Sequence, residues 1–289
     1  VRNFQILFDD AEPSPFEHPG YAPYGIMGFP PTHADRPWTF ANFVQSIDGI
    51  ASFKGPHAAG SDISQSAEDR WLMDLLRAHA DAIITGINTL VEETVSAPKL
   101  NGGRGPVYGI EDELLRELRV KLGRKREKVI FATASGSVDP RAYRVFDGDL
   151  IDALILTTET GAARLRSRSD KTRVIVAGQE KTIDLAEAMR VLRKEMEIEH
   201  LLCEGGPTLY GSMARAGLMD EKFVTVSPVE IGLIVPPEQS VAPATPGNQL
   251  NLRPTTFMYP GFTPETARRW RWMSCRRVGD HQFNRYRKK

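Results

Sequence analysis

The sequence has little cysteine: two residues, Cys203 and Cys275, in 289. That excludes a disulfide scaffold and any multi-cysteine zinc site, and two free thiols in a reducing compartment are the reading. Neither sign of charge is in excess, with 37 Lys and Arg against 37 Asp and Glu. No global field therefore draws the chain to nucleic acid or to a membrane surface. No run of about 18 apolar residues occurs, so no membrane-spanning helix is expected. The opening VRNFQILFDD lacks the apolar stretch of a secretory signal, and a cytoplasmic protein is expected. Several chemical signatures are missing too. GGRGPVYG lacks the third glycine of a dinucleotide fingerprint, and GGPTL carries no Walker lysine. The HxE and PCxxC pair of zinc deaminases is absent, as is the GxSxG elbow. The six histidines (18, 33, 57, 79, 200, 281) show no metal-ligand spacing, and no metal is expected.

What is present suffices for a large core. Hydrophobic residues make up 41%, with 24 glycines besides, and a chain of this length buries a core without staples. Residues 1–35 are rich in Pro, Tyr, Gly and His without period, and read as an ordered N-terminal arm. Residues 36–289 read as one domain. WTFANFVQS and ADAIITG read as strands, as do KVIFAT, ALILTT, RVIVAG, HLLCEG and KFVTVS. Helices are expected over Ser66 to Ala78, over EDELLRELRVKLG and over Thr182 to Met196. In the second, Leu114, Leu115, Leu118 and Leu122 are placed on the buried side and Gly123 at the stop. Strands apolar on both faces, alternating with helices, imply a mostly parallel sheet covered on both sides. Residues 228–264, with eight prolines, read as a long irregular excursion. The last segment reads as two strands around Val278-Gly279-Asp280, hence antiparallel. From Arg268 on it carries nine Lys and Arg; an amphipathic basic strand accounts for them, and no nucleic-acid partner is expected.

Three stretches carry candidate chemistry. In HLLCEGGPTLYGSMARAGLMDE a strand runs into Gly205-Gly206, and Pro207 suits the first position of a helix. Glycines without Cβ let the backbone approach a ligand, and the free N–H groups of the helix start favour a phosphate. A tight turn that needs glycine only for packing is the competing reading. Glu204 closes the strand, where ligands bind in parallel α/β sheets; a solvated charge is the alternative. Asp48, in Ser46-Ile47-Asp48-Gly49, falls on the same rim and is a candidate acid, or simply a turn former. Gly86, Thr89 and Glu93 follow the ADAII strand, with Thr89 and Glu93 four apart on one helix face; an exposed helix is the alternative.

The pieces RPWTFANFVQSIDG, AEDRWLMDLLRAHADAIITGINTLVEE, VIFATASGSVDP and LLCEGGPTLYGSMARAGLMDEKFVTVSP occur in order over roughly residues 36–232. In that order they resemble the riboflavin-biosynthesis pyrimidine reductases, the RibD C-terminal family of dihydrofolate-reductase-like fold. The resemblance implies a three-layer α/β domain, a homodimer and NADPH as hydride donor. It implies a phosphoribosylamino-pyrimidine substrate, reduced at C1′ of its ring-opened imine. Gly205, Gly206, Pro207, Thr208 and Leu209 match the pyrophosphate loop. Thr89 matches a cofactor-contacting threonine, Thr133 stands near the adenosine end, and Gly86 joins the cofactor set. Ser61 falls in a segment, GSDIS, that contacts substrate, and Arg77 and Glu204 match substrate-contacting residues. Glu93 stands where many members carry an aspartate, and together with Asp48 makes up the candidate catalytic pair. The Asp-Pro-x-Leu-Thr-x-Arg stretch that grips substrate phosphate in many members is replaced by Thr94-Val95-Ser96-Ala97-Pro98-Lys99-Leu100. Lys99 and Arg104 are the cations left to serve there. For the cofactor 2′-phosphate, the ASGS turn at 134–137 or a nearby arginine is the candidate. Two further readings stay open: a same-fold reductase of another, pterin-like C=N bond, and a non-catalytic nucleotide-binding paralogue.

Overall fold

Apolar runs four to nine residues long, bounded by Gly and polar turns, become the strands of one ten-stranded sheet. The computed structural model describes residues 3–14, 16–25, 27–54, 57–168, 171–236 and 251–289. In chain order the strands are β1 (Gln5–Asp9), β2 (Trp38–Ser46), β3 (Ala82–Gly86), β4 (Lys128–Ala132) and β5 (Asp152–Thr157). They continue as β6 (Arg173–Val176), β7 (His200–Cys203), β8 (Glu221–Ser227), β9 (Trp270–Val278) and β10 (His281–Lys288). The spatial order is β1-β9-β10-β8-β2-β7-β3-β4-β5-β6. From β8 to β6 every neighbour is parallel. The other three strands pair antiparallel, as the C-terminal hairpin reading requires.

The helices are α1 (Gly60–Ser64), α2 (Ala67–His79), α3 (Ile87–Ser96), α4 (Glu113–Lys121), α5 (Glu159–Arg166), α6 (Leu185–Lys194) and α7 (Pro207–Arg215). Caps set their starts. Ser66 Oγ accepts from the Asp69 N–H at 3.2 Å, Asp112 from Leu115 at 3.3 Å and Asp184 from Glu187 at 3.0 Å. The Asp184 cap moves the start of α6 from the expected Thr182 to Leu185. In α4, Leu115 and Leu118 are buried but Leu114 is 46% exposed, which corrects its expected placement. At about 100° per residue Leu114 falls at the edge of the stripe centred between Leu115 and Leu118, on the side that meets solvent.

Two cores cover the two faces of the sheet and make three layers. One joins Trp71, Leu72, Leu75 and Leu76 of α2 to Leu115 and Leu118 of α4 and to Phe40, Ile83 and Phe131 of the strands. The other joins Met189 and Leu192 of α6 to Tyr210 and Met213 of α7 and to Ala41, Ile84 and Ile130. Adjacent strand residues thus point to opposite faces. The N-terminal segment belongs to the first core: Phe4, Tyr21, Tyr24 and Met27 are buried in it. Its residues Gln5–Asp9 pair with β9 as the sheet edge, a strand the pattern did not reveal. Its apolar residues, Ile6, Leu7 and Phe8, are consecutive and none of the strand is buried, so no alternation marks it. In the excursion, 228–236 and 251–264 form no strand beyond the bridges Ile50–Thr255 and Ile234–Leu252. Residues 237–250, with three of its prolines, lie outside the described residues. Both cysteines are free and buried.

Candidate active site

Parallel register sets the level of the site. Ile84 of β3 pairs with Cys203 of β7, and Gly86 with Ala132 of β4. Glu204, the start of α3 and Thr133 therefore emerge side by side at the carboxyl ends of β7, β3 and β4. Two of these turns are tied together. The Gly86 N–H donates to the Gly205 carbonyl at 2.8 Å, and the Glu204 N–H donates to the Ile84 carbonyl at 3.1 Å.

Glycine is needed at this junction. Gly205 sits at φ +88°, and a Cβ there would meet the Phe43 ring at 3.2 Å. A Cβ on Gly206 would meet Thr89 Oγ1 at 3.1 Å. The Gly205–Gly206 peptide is cis. Pro207 opens α7 behind it. The N–H groups of Thr208 and Leu209, as in any first helical turn, have no intrahelical acceptor and bear the positive end of the helix. Open N–H groups on a backbone without Cβ fit the pyrophosphate of a dinucleotide.

Beside this junction stands an ion pair. Arg77 of α2 donates from Nε and Nη2 to Glu204 at 2.7 and 2.8 Å, and from Nη1 to the Gly109 carbonyl at 3.1 Å. Both side chains are nearly closed to solvent, at 4% and 8% exposure. Burial works against the Arg77 charge, yet Glu204 beside it holds the guanidinium further up than usual. Next to this pair lies Glu93. Burial pushes its carboxyl up from the usual range. The Tyr108 hydroxyl, donating to Glu93 Oε2 at 2.5 Å, pulls it part of the way back, and the charge of Glu204 raises it again. Burial keeps the Tyr108 phenol protonated well above its ordinary range, and the Glu93 charge adds to that.

The structure brings Ser61, Arg77, Thr89, Glu93, Glu204, Gly206 and Pro207 to one cleft of ≈ 1520 Å³. Gly86 and Gly205 lie behind it as the tied turns. Leu209 packs into the second core, and Thr208 is exposed on the first turn of α7. Thr133 sits one strand away, its hydroxyl 3.5 Å from that of Ser135. There the ASGS turn packs on α5: a Cβ on Gly136 would overlap the Gly161 carbonyl at 2.3 Å. Arg164 donates to the Ser135 carbonyl and, at 3.2 Å, to the Ser137 hydroxyl; Arg168 donates to the Ser137 carbonyl. Two arginines and two serines thus share one exposed turn.

Asp48 does not join the cleft. β2 pairs with β7 only up to Ala41–Cys203 and then follows β8 to Ser46. Its carboxyl end overshoots that of β7, at Cys203, by five residues, about 16 Å of strand. The Asp48 carboxylate accepts instead from the Ser46 hydroxyl and from the N–H groups of Ile231 and Gly232, the last at 2.7 Å. Desolvation would raise its pKa, but these donors hold it below the usual range. It is a turn former that anchors the 229–232 loop. Arg104 is also committed elsewhere, to Asp147 at 2.7 and 2.8 Å and to the carbonyls of Arg141 and Tyr143. Lys99 is exposed.

The sequence reading missed Tyr108. It stands alone between glycines in an aperiodic stretch, and nothing local marks it. The signal appears only in three dimensions: a buried ring at φ +67°, a left-handed conformation rare for aromatics, with the Arg77 guanidinium 5.7 Å from its centre.

The model of the RibD C-terminal domain matches residues 37–256. The chain belongs to the RibD C-terminal domain family. A 2,5-diamino-6-ribosylamino-4(3H)-pyrimidinone 5′-phosphate reductase of Methanothermobacter thermautotrophicus is 28% identical over 201 residues, which cover 68% of this chain and 80% of that protein. Among solved structures, a pyrimidine reductase-like protein of Corynebacterium diphtheriae superposes with a TM-score of 0.62 at 24% identity, over 88% of this chain and 93% of that one. RibD of Acinetobacter baumannii superposes with 0.61 at 15% identity, over 89% of this chain but 59% of that longer one. These structures share its fold: α/β, with a mostly parallel sheet and antiparallel C-terminal strands.

Proposed function

We propose that this protein is an NADPH-dependent pyrimidine reductase that reduces the ring-opened imine of a phosphoribosylamino-pyrimidine at C1′. The observation that carries the proposal is the half-buried Glu93 carboxyl, lining one cleft with the Arg77–Glu204 pair beside the Gly205–Gly206 helix start. When bound, the nicotinamide supplies the hydride. The chain supplies the rest. Gly206, Thr208, Leu209 and Thr89 hold the pyrophosphate, and Thr133 faces the adenosine end. Arg77 fixes Glu204, whose oxygens orient the polar pyrimidine. Ser61 lies on the substrate side of the cleft. Glu93, kept protonated to higher pH by burial, donates its proton to the imine nitrogen as C1′ is reduced.

The preference for NADPH rests on Arg164 and Arg168 at the Ser135–Ser137 turn, a cationic and hydroxyl pair of the kind a 2′-phosphate requires. A homodimer in the cytoplasm completes the reading. The dimer is supported by the open edge β1, where Ile6 and Leu7 are half exposed and Phe8 packs on the half-exposed Trp272. A second reading, a same-fold reductase of another C=N bond, is favoured by one observation: Arg104 is spent on Asp147 and leaves Lys99 alone in that loop.

The test is loss of nicotinamide absorbance with the deaminated phosphoribosylamino-pyrimidine, with its 2,5-diamino precursor and with a dihydropterin, each with NADPH and NADH. Oxidation that needs both protein and a phosphoribosyl pyrimidine is the expected result. Oxidation with the dihydropterin alone overturns the substrate in favour of the second reading. Cofactor binding without turnover on any of the three overturns the catalytic reading.

A further inference from the structure

The basic tail is not one uniform stripe. Four of its cations are neutralised. Arg276 pairs with Asp9, Arg285 with Glu221, Arg287 with Glu221 and Glu12, and Arg271 lies 3.9 Å from Asp10. Of the other five, Arg277 stands apart on β9. Arg268, Arg269, Lys288 and Lys289 converge with Arg215 of α7 around a separate pocket of ≈ 680 Å³, floored by Phe262. Glu265 is the one acidic side chain that lines it. Among the described residues none of the five cations forms an ion pair with a carboxylate.

Three of the five heads, those of Arg215, Arg268 and Lys288, are held in place. Arg215 Nη1 donates to the Gly261 carbonyl at 3.1 Å, and Lys288 Nζ to the Gly217 carbonyl at 3.1 Å. The Arg215 and Arg268 guanidinium carbons lie 5.1 and 5.7 Å from the centre of the Phe262 ring. Gly217 shows the convergence: a Cβ placed on it would lie 3.4 Å from Arg268 Nη2 and 3.9 Å from Lys288 Nζ. Two full positive charges therefore face the same spot. The carbonyl end of α7 answers them with about half a negative charge, and Glu265 with one. Five cations less these leave the pocket with a surplus of about three and a half positive charges in a chain of zero net charge.

We propose that this pocket is a second binding site, for a small multivalent oxyanion of the oligophosphate class. Guanidinium forks and ammonium groups fixed by carbonyls and an aromatic ring are preorganised for phosphoryl oxygens. The depression is the size of a small ligand, and its cations gather on one open patch rather than along a groove as polynucleotide binding requires. It is separate from the catalytic cleft and shares no lining residue with it. It lies at the opposite end of the sheet: α7 leaves the cleft at Pro207 and reaches the pocket at Arg215, and the pocket flanks the amino-terminal start of β8.

The experiment is calorimetric titration of the whole protein with inorganic pyrophosphate, in low salt and saturating NADPH so that the pyrophosphate loop is filled. Saturable binding is expected. The variant Arg269→Ala with Lys289→Ala changes two exposed side chains that make no side-chain bond among the described residues, so the fold is kept. It is expected to weaken that binding at least about tenfold and to leave the KM for NADPH unchanged. No saturable binding, or equal binding by the variant, overturns the proposal. A single-stranded oligonucleotide that binds tighter than pyrophosphate, with a steep salt dependence, overturns it in favour of a nucleic-acid surface. If NADPH does not bind, the same titration without it tests the pocket alone, because the variant touches only this site.

Discussion

Glu93 and Tyr108 show how two ordinary side chains become a poised acid. Burial favours the neutral carboxyl, and the phenol favours the charged one by donating to it. Turnover is therefore expected to fall as pH rises through the Glu93 pKa, which lies above the usual carboxylate range. Tyr108→Phe removes the donor to the ionised form, so that limb of the pH–rate profile moves to higher pH while the KM for NADPH stays constant. A limb that does not move assigns Tyr108 to packing alone. Glu93→Gln abolishes the limb and lowers kcat by about 10²-fold or more, read by steady-state rates. At the turn proposed to take the cofactor 2′-phosphate, Arg164→Ala with Arg168→Ala is expected to raise the KM for NADPH by about tenfold or more and leave that for NADH nearly unchanged. Equal effects on both cofactors would place the 2′-phosphate elsewhere.

At the scale of elements, the site depends on contacts between turns that are remote in sequence. Gly86 and Gly205 are hydrogen-bonded across 119 residues of chain. Gly205→Ala brings its Cβ against the Phe43 ring at a positive φ, and the two turns separate. The expected result is loss of cofactor affinity, followed by nicotinamide fluorescence, with far-UV circular dichroism preserved. The N-terminal segment is an element of the same core. Phe4 packs on Tyr24, Trp71 and Phe283 with ring centres 4.8–5.7 Å apart. Phe4→Ala is expected to cost about 3–5 kcal/mol, measured as a lower denaturation midpoint at constant slope.

Over the whole molecule, two buried histidines couple folding to pH. His79 lies 3.1 Å from the Tyr21 hydroxyl, and Arg124 sits 2.9 Å from Nδ1 of His200. Burial holds both imidazoles neutral: His79 well below its ordinary value, and His200 down to about 4. In the unfolded chain each takes up a proton near pH 6.5, and in the folded chain it does not. Protons therefore favour unfolding, and stability is expected to fall as pH drops below about 6.5. For His200 the loss runs down to about pH 4 and reaches roughly 3 kcal/mol. His200→Gln should flatten that part of the profile in urea unfolding.

Much of this protein is legible in its residues, and the reason is locality. Runs such as HLLC and AIITG report buried strands from their own composition, Ser66 and Asp112 report helix starts through caps within three residues, and Glu-Gly-Gly-Pro-Thr-Leu reports a glycine turn from strand into helix. Local pattern alone implies the α/β class, the parallel sheet and the antiparallel C-terminal hairpin. Register and long-range pairing decide the rest. Asp48 falls outside the cleft because β2 continues past β7. Arg104 turns to Asp147, and Tyr108 turns to Glu93. Gln5–Asp9 becomes a strand only because β9 offers it an edge. Five cations become a pocket only because α7 ends where β9 begins. In each case the deciding partner is remote in sequence, and side-chain chemistry acts on what lies within a few ångströms, however far along the chain it comes from.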